Sequence, residues 1–481
     1  MENDSPAVPE APSPRLGSEA APAARSPVKT YRAGHTLQYT LRGLLILSFW
    51  LLWGDFASTF FEAIFGRFTP LYLKDLHASN SLIGIMSGSI PGVVNIFFLP
   101  NISLWSDHYR GRLGRRIPFL YVMTPLTAVC LIALGFAPEL AGWVQKALLS
   151  HLSPSISATV LIVPLFCVFA TLYHLFNAVL LSAYNWLLRD VVPLDLMARF
   201  LSWFRIVSTA SSWAFLRYVF PYIISRRQEI FLGVGIFFLV SFLLMCRNVK
   251  EGEYPPPPSA IDRPGLIKSF GLYFRECLSI PLYRNLFIVF VFVTLGSFCA
   301  NPFTMLFNRE TLGLSMDDMG KIFAWNMAVA AVAFYPMGWL CDKFSPILVS
   351  LVAMVGSILG PLWAYFWVTD KNSFLIYSLF SAIYATGWGL GSLAMTMKLF
   401  PEDKFGQFSS GLSVFSCGAI IFGNILLGQF MDLAHSNYRM IFLWCAACMA
   451  MTIFPMLLVY RGWKQHGGPH NYVPPLPQSN R

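Results

Sequence analysis

The chain of 481 residues is 56% apolar and only 12% charged, and its formal net charge is +10. Soluble globular proteins carry about 25% charged residues, so this composition excludes a soluble enzyme or binding domain and indicates an integral membrane protein. The basic residues lie in short segments between apolar runs, a pattern that reports membrane topology rather than nucleic-acid binding.

The N-terminal segment is rich in Pro, Ala, Ser and Arg and has no apolar periodicity. It has too little apolar surface to bury, which predicts a disordered cytoplasmic tail over residues 1–36. The first apolar run begins near Gly43, which is too late for the start of a cleaved signal peptide.

Twelve apolar runs follow, each close to the ~20 residues that a membrane-spanning helix needs. They lie near 43–70, 80–104, 117–137, 157–187, 197–224, 229–247, 285–307, 317–340, 346–368, 373–398, 407–430 and 439–460. Between the third and fourth runs, residues 139–155 have the pattern of an amphipathic external loop.

An even number of spans places both termini on the same side of the membrane. Most Lys and Arg residues outside the runs fall in segments on that side, which the positive-inside rule assigns to the cytoplasm. Arg67 is among the few basic residues assigned to the opposite side. We therefore expect a multi-pass protein of the cell membrane, either a plasma membrane or a bacterial inner membrane, with both termini cytoplasmic.

The segment 248–284 contains four consecutive prolines and divides the runs into two sets of six. We interpret it as a cytoplasmic linker between a bundle over 37–247 and a bundle over 285–460, with a cytoplasmic tail over 461–481.

A weak internal repeat supports this division. Pro193-x-Asp195-x-x-x-Arg199-Phe200-x-Ser202 follows the fourth run, and Pro401-x-Asp403-x-x-x-Gln407-Phe408-x-Ser410 follows the tenth. Ser79 and Gly84 open the second run, as Ser315 and Gly320 open the eighth. The expected fold is an all-α membrane protein with twelve transmembrane helices in two pseudo-symmetric six-helix bundles.

Polar residues inside the runs form stripes at helical spacing. Asp55, Thr59 and Glu62 share one face of the first run, and Arg205 begins a similar face of the fifth. Asp55 and Arg205 lie at comparable depths, so an ion pair between them is one interpretation. In the second half the stripes are neutral, with Tyr384 and Trp388 on one face of the tenth run.

The loop between the second and third runs carries four arginines within seven residues, and each would cost ~2.5–3.5 kcal/mol inside the bilayer. It reads Ser106-Asp107, then six residues, then Gly114-Arg115-Arg116-x-Pro118-Phe119. This loop resembles the signature of the major facilitator superfamily. More specifically, it is similar to that of the sucrose–proton symporters and the related glycoside–pentoside–hexuronide:cation symporter group.

Asp107 at a helix C-terminus is unfavourable for the helix dipole and should need cationic partners. We therefore predict a gating loop that stabilises one state of the transport cycle. Its predicted residues are Asp107, Arg112, Gly114, Arg115 and Arg116, together with Asp342 at the equivalent place in the second half.

The resulting hypothesis is a secondary active transporter that moves a small polar solute, a sugar or glycoside, by proton symport with alternating access. Asp55 and Glu62 would bind the coupling cation. The predicted substrate-binding residues are Arg205, Asn177, Asn301, Asn326, Tyr384 and Trp388. Tyr384 and Trp388 would stack on the sugar ring, and the asparagines would donate hydrogen bonds. The expected partners are the solute, the coupling cation and the lipid bilayer, without nucleic acid.

Three alternatives stay open at this point. The first is an antiporter or uniporter for an organic anion, drug or peptide, which Arg205 would suit. A non-transporting sensor is more remote. An intramembrane enzyme lacks a catalytic constellation in the sequence, and cysteine spacing indicates no metal site, so we expect no catalytic residue and no cofactor.

Overall fold

A computed structural model describes residues 30–33, 36–99, 102, 106, 109, 111, 113–149, 157–252 and 278–475. Each of the twelve predicted runs contains a long helix. Their bounds are α1 Leu41–Asp75, α2 Asn80–Phe97, α3 Ile117–Gly135, α4 Ala158–Val191, α5 Met197–Ala214, α6 Arg227–Asn248, α7 Pro281–Thr311, α8 Met316–Lys343, α9 Pro346–Trp367, α10 Lys371–Leu399, α11 Phe405–Leu433 and α12 Met440–Gln465.

Eleven of these helices are long and apolar enough to cross a membrane. The remaining one, α5, contains Arg199 and Arg205 and continues into a π-helical turn over Phe215–Val219. Its polar composition explains why length and hydropathy alone do not identify it as a span, although it occupies the fifth position of the bundle.

Shorter elements connect or flank the helices. They are the antiparallel strands β1 Tyr31–Ala33 and β2 Leu37–Tyr39, the helix Ala137–Val144 with its π-helical extension Gln145–Leu149, the 3-10 turns Leu194–Leu196, Phe220–Tyr222 and Glu402–Lys404, and the C-terminal helix Gly468–Asn471. The strand β1 falls within the segment that the sequence predicts as a tail, while residues 1–29 of that prediction lie outside the described residues.

The two halves repeat their local structure. The matching motifs after α4 and α10 fold into 3-10 turns, Leu194–Leu196 and Glu402–Lys404, that lead into α5 and α11. Ser79 and Ser315 cap α2 and α8 through the same bond, in which the serine side chain accepts a hydrogen bond from the backbone N–H three residues later. The repeat in the sequence therefore corresponds to a structural repeat.

Aromatic side chains fill the interior of each half. Phe61 of α1 stacks on Phe238 of α6 with ring centroids 4.1 Å apart, and Phe65 stacks on Tyr173 of α4 at 4.6 Å. Because lipid tails are as apolar as these side chains, van der Waals packing rather than transfer from water holds such helices together. Each aromatic pair contributes about 0.5–1.5 kcal/mol beyond its buried area.

The helix α6 shows how the outer helices meet lipid. Leu232, Ile236, Val240 and Leu244 are spaced four residues apart and are all exposed. The opposite face, including Phe238 and Phe242, is fully buried. A helix that is apolar on every side and exposes one regular face is expected at the lipid boundary of a bundle.

The two halves meet at the end of the molecule where α1 ends and α2 begins, which we call the closed end. The Asp432 carboxylate of α11 accepts hydrogen bonds from the backbone N–H groups of Asn80 and Ser81 at 2.9 and 3.0 Å, and from both of their side chains. Arg309 of α7 forms an ion pair with Asp75 of α1. These polar contacts join the halves across the closed end.

Glycines allow the helices of opposite halves to touch backbone to backbone near this end, and Gly84, Gly320 and Gly428 are three of them. A Cβ atom added at Gly84 of α2 would collide with the backbone oxygen of Asn424 of α11. A Cβ atom added at Gly320 of α8 would collide with the backbone oxygen of Leu216 in the turn after α5. These equivalent positions in the two halves form a symmetric pair of close crossings, as small residues at helix interfaces in membranes do.

We predict that Gly84→Ala and Gly320→Ala each lower thermal stability in detergent, because neither backbone oxygen can move aside without shifting a helix. Overpacking of this kind costs about 1–3 kcal/mol. Gly233→Ala in α6 is the matched control, since a Cβ atom there meets nothing within 4 Å. Equal melting temperatures for the three variants would contradict the close crossings.

We also predict that Asp432→Ala opens the closed end, because it removes four hydrogen bonds between the halves. The measurement is the distance between spin labels at the exposed positions His77 and His435, which should shift to longer values. Asp370→Ala is the control, since Asp370 lies in the loop before α10 and caps only its own helix. An unchanged distance distribution in Asp432→Ala would show that these bonds do not hold the end closed.

Candidate substrate cavity

A cavity of about 530 Å³ lies between the two halves. Helices α1, α2, α7, α8 and α11 and the turn after α5 contribute its lining. Its polar side chains include Arg67, Asn95, Asn301, Asn326 and Asn424. The volume lies within the ~300–1,000 Å³ that is usual for small-molecule sites. Arg67 and Asn424 each lie eight residues before a closed-end acid, so the cavity lies about 12 Å below that end.

A break in α7 positions Asn301 in this cavity. The helix adopts a π-helical turn over Thr294–Phe298 and loses regular structure for two residues before Asn301. Pro302 has no backbone N–H, so it cannot donate to the carbonyl of Phe298 as a regular helix would require. Irregular backbone of this kind inside a membrane is found where it lines a cavity.

Two further cavities, of about 570 and 320 Å³, lie within the second half and share Asn301 with the central one. Tyr384 lines both of them, and Trp388 lines the larger. Asn326 of α8 donates from Nδ2 to the Ser378 carbonyl at 2.6 Å, which fixes its amide on α10. The structure thus brings together four of the six predicted substrate-binding residues.

Close packing fixes the ring of Tyr384. Its side chain lies against Gly356 and Gly360 of α9, where a Cβ atom would come within about 3 Å of the ring. The Tyr384 hydroxyl is buried beside the side chains of Tyr377 and Ser381. A ring held in this way, close to the Trp388 indole, is suited to stack on the apolar face of a solute.

The predicted charged residues lie away from these cavities. Asp55 is 3% exposed, and its carboxylate accepts a hydrogen bond from the Ser208 hydroxyl of α5 at 2.6 Å. Arg205 is exposed on α5, and its positive charge acts on the Asp55 carboxylate. The described residues include no ion pair between the two, so the predicted direct contact is replaced by a longer-range attraction.

Glu62 and Asn177 form a second polar contact of α1. The Asn177 amide of α4 donates to the Glu62 carboxylate at 2.8 Å, and Asn177 is buried. Asn177 is thus positioned as a partner of Glu62, and like Arg205 it does not line the three cavities described above.

Gly114, Arg115 and Arg116 lie at the end opposite the closed end. The Arg115 guanidinium forms an ion pair with Asp190 of α4 at 3.0 Å. The Arg116 guanidinium lies 3.6 Å from the same carboxylate and 4.7 Å from the Trp186 ring centroid. Gly114 has a φ angle of +102°, which favours glycine over other residues. Asp107 and Arg112 of the predicted gating loop lie outside the described residues.

Glu251, two residues past the cap of α6, completes this region. Its carboxylate accepts hydrogen bonds from the backbone N–H groups of Arg115, Arg116 and Ile117 at 2.9, 2.8 and 2.6 Å. An acidic group at a helix N-terminus accepts hydrogen bonds from backbone N–H groups that have no partner within the helix, and its charge interacts favourably with the helix dipole. Glu251 therefore stabilises the start of α3. Asp342, the second-half counterpart of Asp107 in the predicted gating loop, is exposed at the end of α8.

Three cavity residues are absent from the sequence-based prediction. Arg67 is assigned there to an external segment, because the first run is expected to end near Pro70. The helix continues through Pro70 to Asp75. The apolar residues Leu71, Tyr72 and Leu73 are the signal that would have extended it. Asn95 and Asn424 are single amides within apolar stretches. Their positions in the runs did not indicate whether they lie on the helix face that lines the cavity.

Twelve helices in two repeating halves, with a polar cavity between the halves, are the architecture of a membrane transporter. A family model described as the Major Facilitator Superfamily matches residues 51–391 and 286–475. The chain therefore belongs to the major facilitator superfamily, whose members are transporters rather than enzymes. The narrower resemblance to sucrose–proton symporters and their related group stays a prediction. No curated protein matches the sequence.

Solved structures share this fold. The nucleoside transporter NupG, as a point mutant, matches with a TM-score of 0.66 and 11% identity over 86% of this chain and 100% of that chain. A D-xylose–proton symporter matches with a TM-score of 0.58 and 14% identity, covering 87% and 97%. At such identities the similarity establishes the fold alone.

A bacterial homologue of the iron transporter ferroportin provides a comparison of two states. Its inward-facing structure matches with a TM-score of 0.63 and 16% identity, covering 86% of this chain and 99% of that chain. Its outward-facing structure has a TM-score of 0.54 at 14% identity, covering 86% and 99%. Both structures share the fold of this chain, and the TM-score is higher for the inward-facing one.

Proposed function

We propose that this protein is a secondary active transporter that carries a small hydroxyl-rich solute, a sugar or glycoside, by proton symport with alternating access. The observation that carries the proposal is the neutral, aromatic and amide-lined space formed by Asn301, Asn326, Tyr384 and Trp388. Both termini would lie in the cytoplasm of a plasma membrane or bacterial inner membrane, as the basic residues indicate.

The recognition chemistry follows from these side chains. Indole and phenol rings stack on the C–H face of a sugar, while amides both donate and accept hydrogen bonds to its hydroxyl groups. Hydroxyl side chains of Ser297, Ser357 and Ser392 line the same space. A hydroxyl-rich solute would therefore exchange its hydration shell for protein partners of matching geometry.

Coupling would use the two carboxyl groups of α1. The Ser208 hydroxyl lies within hydrogen-bond distance of both the Asp55 carboxylate and the Phe204 carbonyl, at 2.6 and 2.9 Å, but it has one proton to donate. While Asp55 is ionised, the Ser208 hydroxyl donates its proton in a hydrogen bond to the Asp55 carboxylate. Once Asp55 is protonated, it donates to Ser208, and Ser208 donates to the carbonyl of its own helix.

Glu62 extends this arrangement towards α4. The amide of its partner Asn177 can donate to either protonation state of Glu62, and it binds the ionised carboxylate more strongly than the protonated group. A proton on either acid removes a charge that is expensive inside the membrane, which would ease the movement of α1 against α4 and α5.

Alternating access would follow from the contacts at the two ends. The bonds of Asp432 and Arg309 hold the halves together at the closed end, and they would break when the cavity opens there. The cytoplasmic end would then close, with Arg115 and Arg116 beside it. The greater similarity to an inward-facing relative supports the assignment of this state as open to the cytoplasm.

We predict that uptake of a transported sugar into proteoliposomes rises with an inward proton gradient and that Asp55→Asn abolishes this dependence. An amide cannot take up a proton, so exchange of labelled for unlabelled solute should continue in the variant while gradient-driven uptake is lost. Asp370→Asn, which changes an exposed helix-capping acid, is the control.

Two outcomes of this measurement would reject the proposal. If no sugar or glycoside in the panel is taken up, the substrate class is wrong. If organic anions exchange at a rate independent of the gradient, an antiporter or uniporter replaces the symporter.

We further predict that Trp388→Ala weakens binding of the transported solute about 2- to 10-fold, since one aromatic stacking contact contributes about 0.5–1.5 kcal/mol. Affinity is measured from the concentration dependence of exchange. Trp367→Ala is the matched control, because that indole lies exposed on α9 and lines none of the cavities described. Equal losses in both variants would show that Trp388 has no direct role.

A further inference from the structure

The central cavity contains an arginine without an acidic partner. Arg67 is the only charged side chain among the described residues that line it, and none of those residues is Asp or Glu. Three other arginines of the described ranges do have acidic partners: Arg115 binds Asp190, Arg217 binds Asp317, and Arg309 binds Asp75. No ion pair of Arg67 is found within the described parts of the chain.

Arg67 also has few hydrogen-bond partners among the described residues. Its described bond is a long one, 3.4 Å from Nη1 to the Ala63 carbonyl one turn earlier in the same helix. A guanidinium group has five N–H donors in a fixed plane, so most of them have no strong partner in this state. An unpaired charge at this depth is costly unless the cavity supplies an anion or water.

Two other polar atoms of the cavity lining lack partners. The hydroxyl oxygen of Ser87 and Oδ1 of Asn424 are buried, and neither has a hydrogen-bond partner among the described residues. Both residues line the central cavity with Arg67. Buried polar atoms are nearly always satisfied in folded proteins, so these two are groups beside the cavity that a small shift of its lining would offer to a polar ligand.

We infer that Arg67 binds an anionic group of the transported solute and that the solute is a hydroxylated monocarboxylate, such as a sugar acid. This inference rests on the proposed function and narrows its substrate class. A planar guanidinium pairs with a carboxylate through two parallel hydrogen bonds. The single positive charge of Arg67 neutralises one carboxylate. A dianionic phosphate would keep one negative charge without a cationic partner in the cavity.

Asn301 fixes where the rest of the solute lies. It lines the central cavity and both cavities of the second half, so these spaces lie next to one another at its side chain. With the carboxylate at Arg67, the hydroxylated part of the solute extends past Asn301 towards Tyr384 and Trp388. The two ends of one molecule thereby contact opposite halves, so both halves sense its binding.

The test compares galactose, galacturonate and the methyl ester of galacturonate, with glucose, glucuronate and its methyl ester as a second series. Wild-type protein, Arg67→Gln and Arg67→Lys are reconstituted in proteoliposomes, and half-saturating concentrations are measured by uptake and by competition. The methyl ester retains the size of the acid and removes its charge. Arg461→Gln, at an exposed position near the end of α12, is the control for loss of a positive charge outside the cavity.

We expect the wild type to prefer the acid over its methyl ester by on the order of 30-fold, as loss of a partner from a buried charged pair implies. Arg67→Gln should abolish this preference with little change for the neutral sugar and the ester, and Arg67→Lys should restore part of it. Arg461→Gln should keep the wild-type preference. Retention of the full preference in Arg67→Gln would overturn the inference.

The remaining outcomes separate this inference from the proposed function. If wild-type protein takes up neutral sugars as well as the acids, the sugar-transport proposal stands and the carboxylate subsite is rejected. If it takes up neither series, both are rejected. Preservation of the melting temperature in Arg67→Gln confirms that the variant is folded.

Discussion

The rest of the structure depends on two places where helices from opposite halves touch without intervening side chains. At Gly84 and Gly320 a helix lies directly against a backbone oxygen of the other half, and this close approach brings the closed-end acids within reach of their donors. A side chain at either glycine would separate the halves at this end. The position of the cavity below the closed end follows from the same two crossings.

Charge is distributed unevenly around this frame. The carboxyl groups of Asp55 and Glu62 lie between helices of the first half, each with a neutral hydrogen-bond donor. The cavity between the halves contains the guanidinium of Arg67, and the adjoining space in the second half is neutral and aromatic. Proton binding and solute binding would thus occupy different places that share α1, the helix that carries Asp55, Glu62 and Arg67.

The fold was largely predictable from the sequence, because a membrane imposes strong rules on composition. Length and hydropathy predicted twelve helices, and the matched motifs at Pro193 and Pro401 predicted the repeat. The limits of helices were less certain, since a proline such as Pro70 ends a helix in many contexts but is accommodated here inside α1. Because the first run was expected to end near Pro70, Arg67 was assigned to an external segment and was not predicted as a site residue.

The site was predictable only in part, because helical periodicity gives the face of a residue but not the helix that the face meets. Tyr384 and Trp388 were found as an aromatic stripe, and the structure places both at one cavity. Asp55 and Arg205 lie at similar depths, yet depth alone did not show that Ser208 contacts the carboxylate instead. Asn177 likewise faces Glu62 rather than a cavity, which the sequence of a single helix does not reveal.

The bond network of Glu251 has a mechanical consequence for the connection between the halves. Because this residue is bound to the start of α3, the chain leaves the first half at a fixed point and is next described at residue 278. At ~3.3–3.6 Å per residue, the intervening chain has a contour length of roughly 85–95 Å, far more than the width of a six-helix bundle. The number of residues in the connection therefore sets no close limit on relative motion of the halves, and contacts between their surfaces, such as those of Asp432, restrict that motion.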